Sequence, residues 1–436
     1  MRWIFRLVGA LVLVVLVLVA GVFMLPAERV AGIAADQLRR VTGRDVTISG
    51  DVGLTFWPVL GVRAEGLEVG NASWAKEPAM LSTASAAIGI DAAALLSGEI
   101  RITNIEAQSP AIRLESRADG RASWEFTDAS GAAQIETQTA PTRPAQAITI
   151  QKLTITDATL IYDAEGADTL RYEGVDLALD WPEPTAPAQI AATVRPAGTP
   201  VRVTATISDF AAFLAGAPRP LVAQLSGDGG TAALEGRASL DGAVEGALSL
   251  DLSSTAGFLS ALGLAAPDLP QGLGQRVNAT GQIVLTPDRR LALRGLNADL
   301  GGNRLRGDLD AELNGTPRVT ANLNAGTLDL RALTGGGGQG GGGGTGPAGW
   351  PRSPIDASGL AAFNGVIALS ADSVDLGALK LGRTVTRLTH DRARMVFALS
   401  DVAAYGGRLA GEFVMNNRNG LSVGGKLEAR GVDMNP

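Results

Sequence analysis

Residues 201–207 read Val-Arg-Val-Thr-Ala-Thr-Ile, an alternation of apolar and polar side chains. Successive side chains of a strand point to opposite faces of a sheet, so this stretch is predicted to be a strand with one apolar face. The alternation recurs at residues 46–56, 248–253 and 304–313. Residue pairs that favour hairpin turns lie between such runs: Asp119-Gly120, Asp241-Gly242, Asn314-Gly315, Asn364-Gly365 and Asn419-Gly420. The sequence therefore predicts a mainly β protein with an antiparallel sheet.

A few short helices and two loops interrupt the predicted strands. Helices are expected at 91–97, 209–215 and 255–262, each beginning at a residue that can cap it. Residues 130–147 are rich in Ala, Thr, Gln and Pro, and residues 335–349 are mostly glycine. Both are predicted loops because ordering such segments is costly. No strand–loop–helix context surrounds the glycine tract, which argues against a nucleotide-binding loop.

The composition excludes several classes of function. The 436 residues include no cysteine and one histidine, which excludes disulfides and cysteine-ligated metals and leaves little scope for a zinc site. The net charge of -7 argues against nucleic-acid binding. We therefore expect no cofactor, no metal and no catalytic residues, and we expect that the protein is not an enzyme.

Three sequence features were weighed as catalytic or binding motifs. Residues 420–427 resemble a phosphate-binding loop, but Leu427 stands where Ser or Thr would hold magnesium, and the parity of the leucines fits a strand better. His390 is predicted to lie in a turn with a solvated imidazole. Residues 163–166 lack the ligand spacing of a calcium loop and are predicted to form a hairpin tip.

The N-terminus predicts a membrane anchor. Residues 7–25 contain no charge, and nineteen residues in a helix span about 28 Å, close to the hydrocarbon thickness of a bilayer. Arg2 and Arg6 precede the run, so the positive-inside rule places the N-terminus in the cytoplasm and predicts that the rest of the chain is exported. A cleaved signal peptide is the alternative, but residues 23–27 form a poor cleavage site. The residues taken to represent the anchor are Leu7, Val14, Leu18 and Val22.

An amphipathic helix is predicted at residues 28–41, after the anchor. Val30, Ile33 and Leu38 recur at helical spacing, and Gly43 follows as a stop signal. Such a helix either lies on the membrane or a sheet end, or packs on its own domain. The two arrangements are compatible if the apolar opening of the domain faces the membrane.

A family resemblance rests on an ordered series of short motifs. These are Gly43–Val52, Phe56–Pro58, Leu67–Asn71, Leu95–Ile100, the run ending at Glu115, Asp119–Trp124, Pro354–Asp356, Ala371–Val374 and Tyr405–Gly411. In this order they resemble the AsmA family of Gram-negative bacteria.

The resemblance implies a location and a function. It implies an inner-membrane anchor and an elongated periplasmic sheet curled into a groove, similar to the chorein-type, bridge-like lipid-transfer architecture. The family is linked to phospholipid traffic toward the outer membrane and to outer-membrane assembly. Family members usually continue beyond residues 431–435, so the resemblance also implies a short member or a fragment.

The expected organisation has six parts. They are the cytoplasmic tip and anchor (1–27), an AsmA-like β-region with its leading helix (28–129), a loop (130–147), a β-meander groove (148–333), a glycine-rich linker (334–350) and a second AsmA-like β-region (351–436).

Burial of the apolar sheet face leads to the functional hypothesis. A single-layer sheet must cover its apolar face, and bound acyl chains can do so. The expected groove residues are Val46, Ile48, Val52, Leu54, Phe56, Ile148, Ile150, Val201, Val203, Ile207, Leu248, Leu250 and Leu252. The expected partners are the inner membrane, phospholipid acyl chains and a periplasmic or outer-membrane protein of unknown identity, with no nucleic acid. The alternative is a scaffold without lipid that affects protein targeting to the outer membrane.

The anchor hypothesis makes a direct prediction about the mature protein. Because the apolar run is too long for a signal-peptide core, the N-terminus should remain intact after export. Intact-mass measurement and N-terminal sequencing of the protein from membranes test this. A new N-terminus shortly after residue 27 would contradict the anchor.

Overall fold

The computed structural model describes residues 43–55, 60–91, 102–124, 151–183, 185–266, 269–334, 363–377, 379–417 and 422–433, together with residues 32, 35, 36 and 39. The predicted anchor and most of both predicted loops lie outside these ranges. Within them, no helix has the length and apolarity needed to cross a bilayer. The described chain is mainly β, as predicted, and it divides into two compact units, residues 1–196 and 197–436.

Unit 1 is built on a mixed sheet. β3 pairs with β1, β2 and β4, and β4 pairs with β5 and β6. β7 runs parallel to β5 and β6 and antiparallel to β8, which pairs with β9. The strands are β1 Val46–Ile48, β2 Val52–Thr55, β3 Gly61–Gly70, β4 Ala79–Ile90, β5 Ile102–Gln108, β6 Ala111–Ser116, β7 Lys152–Ala164, β8 Leu170–Asp180 and β9 Ala188–Val194.

Unit 2 is a long succession of neighbouring strands with three short helices among its described residues. The strands are β10 Val201–Ile207, β11 Arg219–Gly227, β12 Gly230–Ala238, β13 Val244–Leu252, β14 Val277–Leu285, β15 Arg290–Asp299, β16 Arg304–Glu312, β17 Arg318–Asp329, β18 Asn364–Asp375, β19 Lys380–Leu381, β20 Thr384–Asp391, β21 Arg394–Ala404, β22 Gly407–Asn416 and β23 Ser422–Arg430. The helices are α1 Phe210–Leu214, α2 Thr255–Ala261 and α3 Arg331–Thr334.

The sheet was predicted to be mostly antiparallel, and among the described strands it is antiparallel except at two places. β7 is parallel to β5 and β6 in unit 1, and β18 is parallel to β17 in unit 2. Parallel neighbours need a long crossover, unlike the tight turn of a hairpin. The connections at 117–151 and 330–363 are these crossovers, and they contain the two segments predicted as loops. Alternation along one strand carries no information about the direction of its neighbour, so the parallel steps could not be predicted from it.

The predicted turns have mixed outcomes. Asp241-Gly242 and Asn314-Gly315 lie in the turns after β12 and β16, and both glycines have positive φ. Asn364-Gly365, predicted as a turn, instead begins β18. A Cβ at Gly365 would stand 1.7 Å from the carbonyl oxygen of Val319, so glycine allows two parallel strands to approach closely there. Asn419-Gly420 lies outside the described residues.

The helix predictions hold where the structure describes them. α1 and α2 lie within the predicted segments 209–215 and 255–262. The Ser254 Oγ caps α2 by accepting a hydrogen bond of 3.0 Å from the Gly257 N–H. Of the predicted helix at 28–41, the described residues are helical, and Ala35 packs against a buried cluster in unit 1. The predicted helix at 91–97 lies outside the described residues apart from Asp91.

A pair of facing glycines shows how tightly β12 and β13 approach. Gly236 lies opposite Gly246, and a Cβ at Gly236 would stand 2.0 Å from the carbonyl oxygen of Glu245. A Cβ at Gly246 would stand 2.3 Å from the carbonyl oxygen of Glu235. The backbone therefore leaves no room for a side chain at this crossing.

Gly236→Ala should destabilise unit 2, because overpacking typically costs about 1–3 kcal/mol. Gly326→Ala in β17 is the control, since open space surrounds that position and its φ is not positive. Denaturant unfolding should show a clear loss of stability for Gly236→Ala and little or no loss for Gly326→Ala. Equal effects would contradict the close approach.

Candidate functional site

An apolar surface runs across unit 2 from strand to strand. Residues directly opposite each other in paired strands project from the same face of a sheet. Val203 of β10 lies opposite Leu225 of β11, which lies opposite Ala232 of β12. Ala232 in turn lies opposite Leu250 of β13, and Leu250 opposite Ala279 of β14. The register therefore places the apolar positions of successive strands side by side.

The parallel step between β17 and β18 preserves this surface. Leu323 pairs with Leu369 in the parallel register, so both project from the same face. Ile367, two residues before Leu369, lies opposite Leu388 of β20, and Leu388 lies opposite Phe397 of β21. The apolar surface consequently continues beyond the crossover.

We call this surface the apolar face, and most of its side chains are half-buried. Its main members are Val203, Ala205, Leu225, Leu234, Leu248, Leu250, Ile283, Leu285, Leu293, Leu309, Leu323, Ile367, Leu369, Leu388 and Phe397, with the more exposed Phe413 beyond them. Among the described residues, no second layer buries these side chains fully. The arrangement is a single-layer sheet whose apolar side is only partly shielded.

The opposite face of unit 2 is polar and exposed. Thr204, Gln224 and Asp251 lie on it, and Arg294 forms an ion pair with Asp310 at 2.5 Å between Nη2 and Oδ1. A shallow concavity beside Arg290 opens at this face and is lined by charges of both signs. Val284, Leu291, Ala292 and Ala311 line it as well, so its wall is partly polar and partly apolar.

Two short helices shield the margin of the apolar face. Phe210 of α1 and Phe258 of α2 are buried. Val201 and Leu252, at the ends of β10 and β13, are buried as well, whereas Leu248 and Leu250 in the interior of β13 are half-buried. The margin of the apolar face is therefore better protected than its middle.

The groove residues predicted in unit 2 lie together on the apolar face or at its margin. Val201, Val203 and Ile207 belong to β10, and Leu248, Leu250 and Leu252 belong to β13. Their polar neighbours along each strand are exposed. Whether these residues contact lipid stays a prediction.

The residues predicted in unit 1 have a different setting. Val46 and Ile48 lie opposite Val69 and Leu67, within or against a buried cluster, and Val52 is half-buried on β2. The side chains of Leu54, Phe56, Ile148 and Ile150, and the anchor residues Leu7, Val14, Leu18 and Val22, lie outside the described part of the structure.

Sequence reasoning missed the extension of the apolar face into β15, β18 and β20. In β15 the apolar positions change from Leu291 and Leu293 to Leu296 and Ala298, so a simple alternation fails. A bulge at Gly295, with φ 58°, restores the register, and the Asp308 carboxylate accepts a hydrogen bond from its N–H at 2.9 Å. A glycine between two alternating runs of opposite parity was the available signal.

The prediction of a solvated His390 is wrong. His390 lies inside β20 and is only 2% exposed, and neither ring nitrogen has a hydrogen-bond partner among the residues that the structure describes. Its ring meets Phe363 edge-on with centroids 4.9 Å apart. Its position opposite Gly365 and Met395 puts it in register with the apolar face, where it acts as a packing residue.

The other sequence motifs show no binding geometry. Residues 422–430 form β23, as the alternation favoured, and residues 165–169 form the tip between β7 and β8. No group of acidic, histidine or cysteine side chains suited to a metal ion occurs in the described ranges. The chemistry of the apolar face is therefore non-directional burial of apolar groups.

These features define a class: a protein built on a large sheet that presents one apolar face. A comparison with models of protein families matches residues 3–250 to the AsmA family. The match covers more than half of the chain, and the protein belongs to the AsmA family. No curated protein matches the chain.

His390→Leu should stabilise the protein, because removing a buried polar group without partners recovers roughly 1–3 kcal/mol. Thr384→Val in the same strand is the control. The buried Thr384 hydroxyl donates to the Gly382 carbonyl at 3.0 Å, so its loss should cost about 1 kcal/mol. Thermal melting should therefore move in opposite directions for the two variants. A lower melting temperature for His390→Leu would show that the imidazole has an essential partner.

Proposed function

We propose that the protein binds and conducts phospholipid acyl chains along the apolar face, as an inner-membrane-anchored periplasmic protein. The observation that carries the proposal is the half-buried part of the apolar face, which we call the strip. It is continuous in register from β10 to β21. Family membership and a large β-sheet support a groove of this kind. We further propose that no catalytic step is involved.

The energetics suit a conduit. Each buried CH₂ contributes about 0.8 kcal/mol, so an acyl chain laid along the strip gains several kcal/mol even after its ordering losses. Leu, Ile, Val and Ala side chains dominate the strip and offer no directional bond that would fix one position. An acyl chain can therefore slide from strand to strand without crossing a large energy barrier.

The competing hypothesis is a scaffold that affects the targeting or assembly of outer-membrane proteins and binds no lipid. In that case, the strip is covered by protein in the cell, and its half-exposed residues pack as an ordinary core would. The two hypotheses differ in what a charge on the strip does to the protein.

A pair of substitutions on adjacent residues distinguishes the two hypotheses. Leu250→Glu places a carboxylate on the half-buried strip, whereas Asp251→Ala changes the exposed polar face one residue away. Under the lipid hypothesis, Leu250→Glu stays folded and loses most of its crosslinking to a photoactivatable phospholipid, and Asp251→Ala keeps both properties. Thermal melting and crosslinking on the same samples measure this.

A third variant calibrates the effect on folding. Leu252 is 7% exposed, so Leu252→Glu buries an unpaired charge and should unfold the unit. If Leu250→Glu unfolds as Leu252→Glu does, and if the unmodified protein crosslinks to no lipid, the scaffold hypothesis stands and the lipid hypothesis fails.

A further inference from the structure

A cluster of aromatic and cationic side chains lies at one end of unit 1. It forms where β3 turns into β4 and where β6 and β7 end. We call it the rim, and its members are Trp74, Lys76, Arg117, Arg121, Trp124 and Tyr162. The apolar face of unit 2 does not include these residues, and the function proposed for that face does not depend on them.

Two arginines hold the Trp74 ring. The guanidinium carbon of Arg117 lies 5.0 Å from the centre of the ring, and that of Arg121 lies 5.6 Å from it. Arg117 also donates from Nη2 to the Trp74 carbonyl at 2.5 Å. Cation–π contacts of this kind fix an amphipathic ring while its neighbours keep their charged ends in water.

An aromatic pair, Trp124 and Tyr162, flanks this stack. The rings of Trp124 and Tyr162 have centroids 6.0 Å apart, and Trp124 is 39% exposed. The Tyr162 hydroxyl is hydrogen-bonded to the Ser116 hydroxyl at 3.1 Å. Each aromatic residue therefore combines an apolar body with a polar end, the composition enriched at membrane–water interfaces.

A buried carboxylate makes the rim rigid. Glu115 is buried and accepts hydrogen bonds from the Asn71 side chain at 3.1 Å and from the backbone N–H groups of Lys76 and Glu77 at 2.8 and 3.2 Å. Its own N–H donates to the Ser123 hydroxyl at 2.9 Å. The loop that carries Trp74 and the turn that leads to Trp124 are thus tied to the same residue.

The rim has no large excess of charge. Lys76 pairs with Asp163 at 2.6 Å, and this hydrogen bond raises the pKa of the Lys76 ammonium. Arg121 pairs with Asp119 at 2.7 Å, which raises the pKa of Arg121 and lowers that of Asp119. The rim is therefore suited to a surface on which aromatic side chains, more than net charge, supply the attraction.

The start of the described chain lies beside the rim. Arg44 donates from Nη2 to the Ser123 carbonyl at 3.1 Å, and Ala35 packs against the cluster of Val46 and Val69. Ten steps along the chain separate Leu25, the last residue of the apolar run, from Ala35. In any conformation these steps span at most about 36 Å, so Ala35, and unit 1 with it, stays within reach of the end of that run.

We propose that the rim contacts the headgroup region of the phospholipid bilayer that holds the N-terminal run. This inference rests on the proposed membrane anchor. Trp74 and Trp124 lie among the headgroups, and Arg117, Arg121 and Lys76 stay at the aqueous side. The contact sets unit 1 on the membrane with the β7 end toward the lipid.

Nitroxide labels on the full-length chain in phospholipid nanodiscs test the rim. The chain has no cysteine, so Ala118→Cys and Asp180→Cys each carry a single label. Ala118 is exposed and lies between the two rim arginines in the sequence. It takes no part in the contacts of the Trp74 ring or in the Trp124–Tyr162 pair. Asp180 is exposed opposite Lys152, at the other end of β7, about 40 Å away along the strand.

Collision of each label with oxygen and with a water-soluble nickel chelate should distinguish the two ends. We expect the ratio of oxygen to nickel accessibility at Ala118→Cys to exceed that at Asp180→Cys several-fold, at low and at high salt. Adding Trp74→Ala and Trp124→Ala should lower the Ala118→Cys ratio toward the Asp180→Cys value. If the two labels have equal ratios, the rim does not touch the bilayer.

The outcomes separate this inference from the proposed function. The same nanodiscs can report lipid crosslinking to the apolar face. If lipid crosslinking persists while the label at Ala118→Cys is fully accessible to the nickel chelate, the proposed contact of the rim with the bilayer is wrong and the lipid-binding proposal stands. If the label reports the headgroup region but no lipid crosslinks to the apolar face, the lipid-binding proposal is wrong and the proposed contact of the rim with the bilayer stands. If the tryptophan variants have a lower melting temperature but an unchanged ratio of oxygen to nickel accessibility at Ala118→Cys, Trp74 and Trp124 have a purely structural role.

Discussion

The rest of the structure depends on strand register. Each strand of unit 2 alternates apolar and polar residues, and each pairing matches apolar with apolar positions. A slip of one residue at any pair would move the apolar side chains of all later strands to the water side. Because the match is kept, the polar groups of the backbone are satisfied by the ladders while one whole side of the sheet stays apolar. Something must cover that side, and the functional proposal follows from this need.

Glycine and short bulges keep the register where the strands would otherwise lose it. The extra residue in β15 is absorbed at Gly295, and the crowded parallel approach of β18 to β17 is relieved at Gly365. Glycine is therefore used where one backbone passes close to another. The same need for an uninterrupted face explains why the β17–β18 crossover joins the strands in step, with Leu323 beside Leu369.

Local pattern predicted much of this fold. Alternation identified β10 and β13, and short apolar segments that follow a strand and start with a residue able to cap identified α1 and α2. These signals are contained in a few neighbouring residues. The direction of β7 and β18 was not predictable in this way, since it depends on which distant strand each one meets. Asn364-Gly365 has the chemistry of a turn but serves a close approach of strands, and His390 is buried because of the strands on either side of it. The apolar face itself was predicted in pieces, while its continuity emerged only from the pairing of one strand with the next.

The central claim is that acyl chains cover the apolar face. Native mass spectrometry of the full-length protein, released from mild detergent after purification from membranes, tests this most directly. We expect bound species with phospholipid masses on the unmodified protein and on Asp251→Ala, and their loss from Leu250→Glu. A folded, unmodified protein that carries no phospholipid under these conditions would contradict the claim.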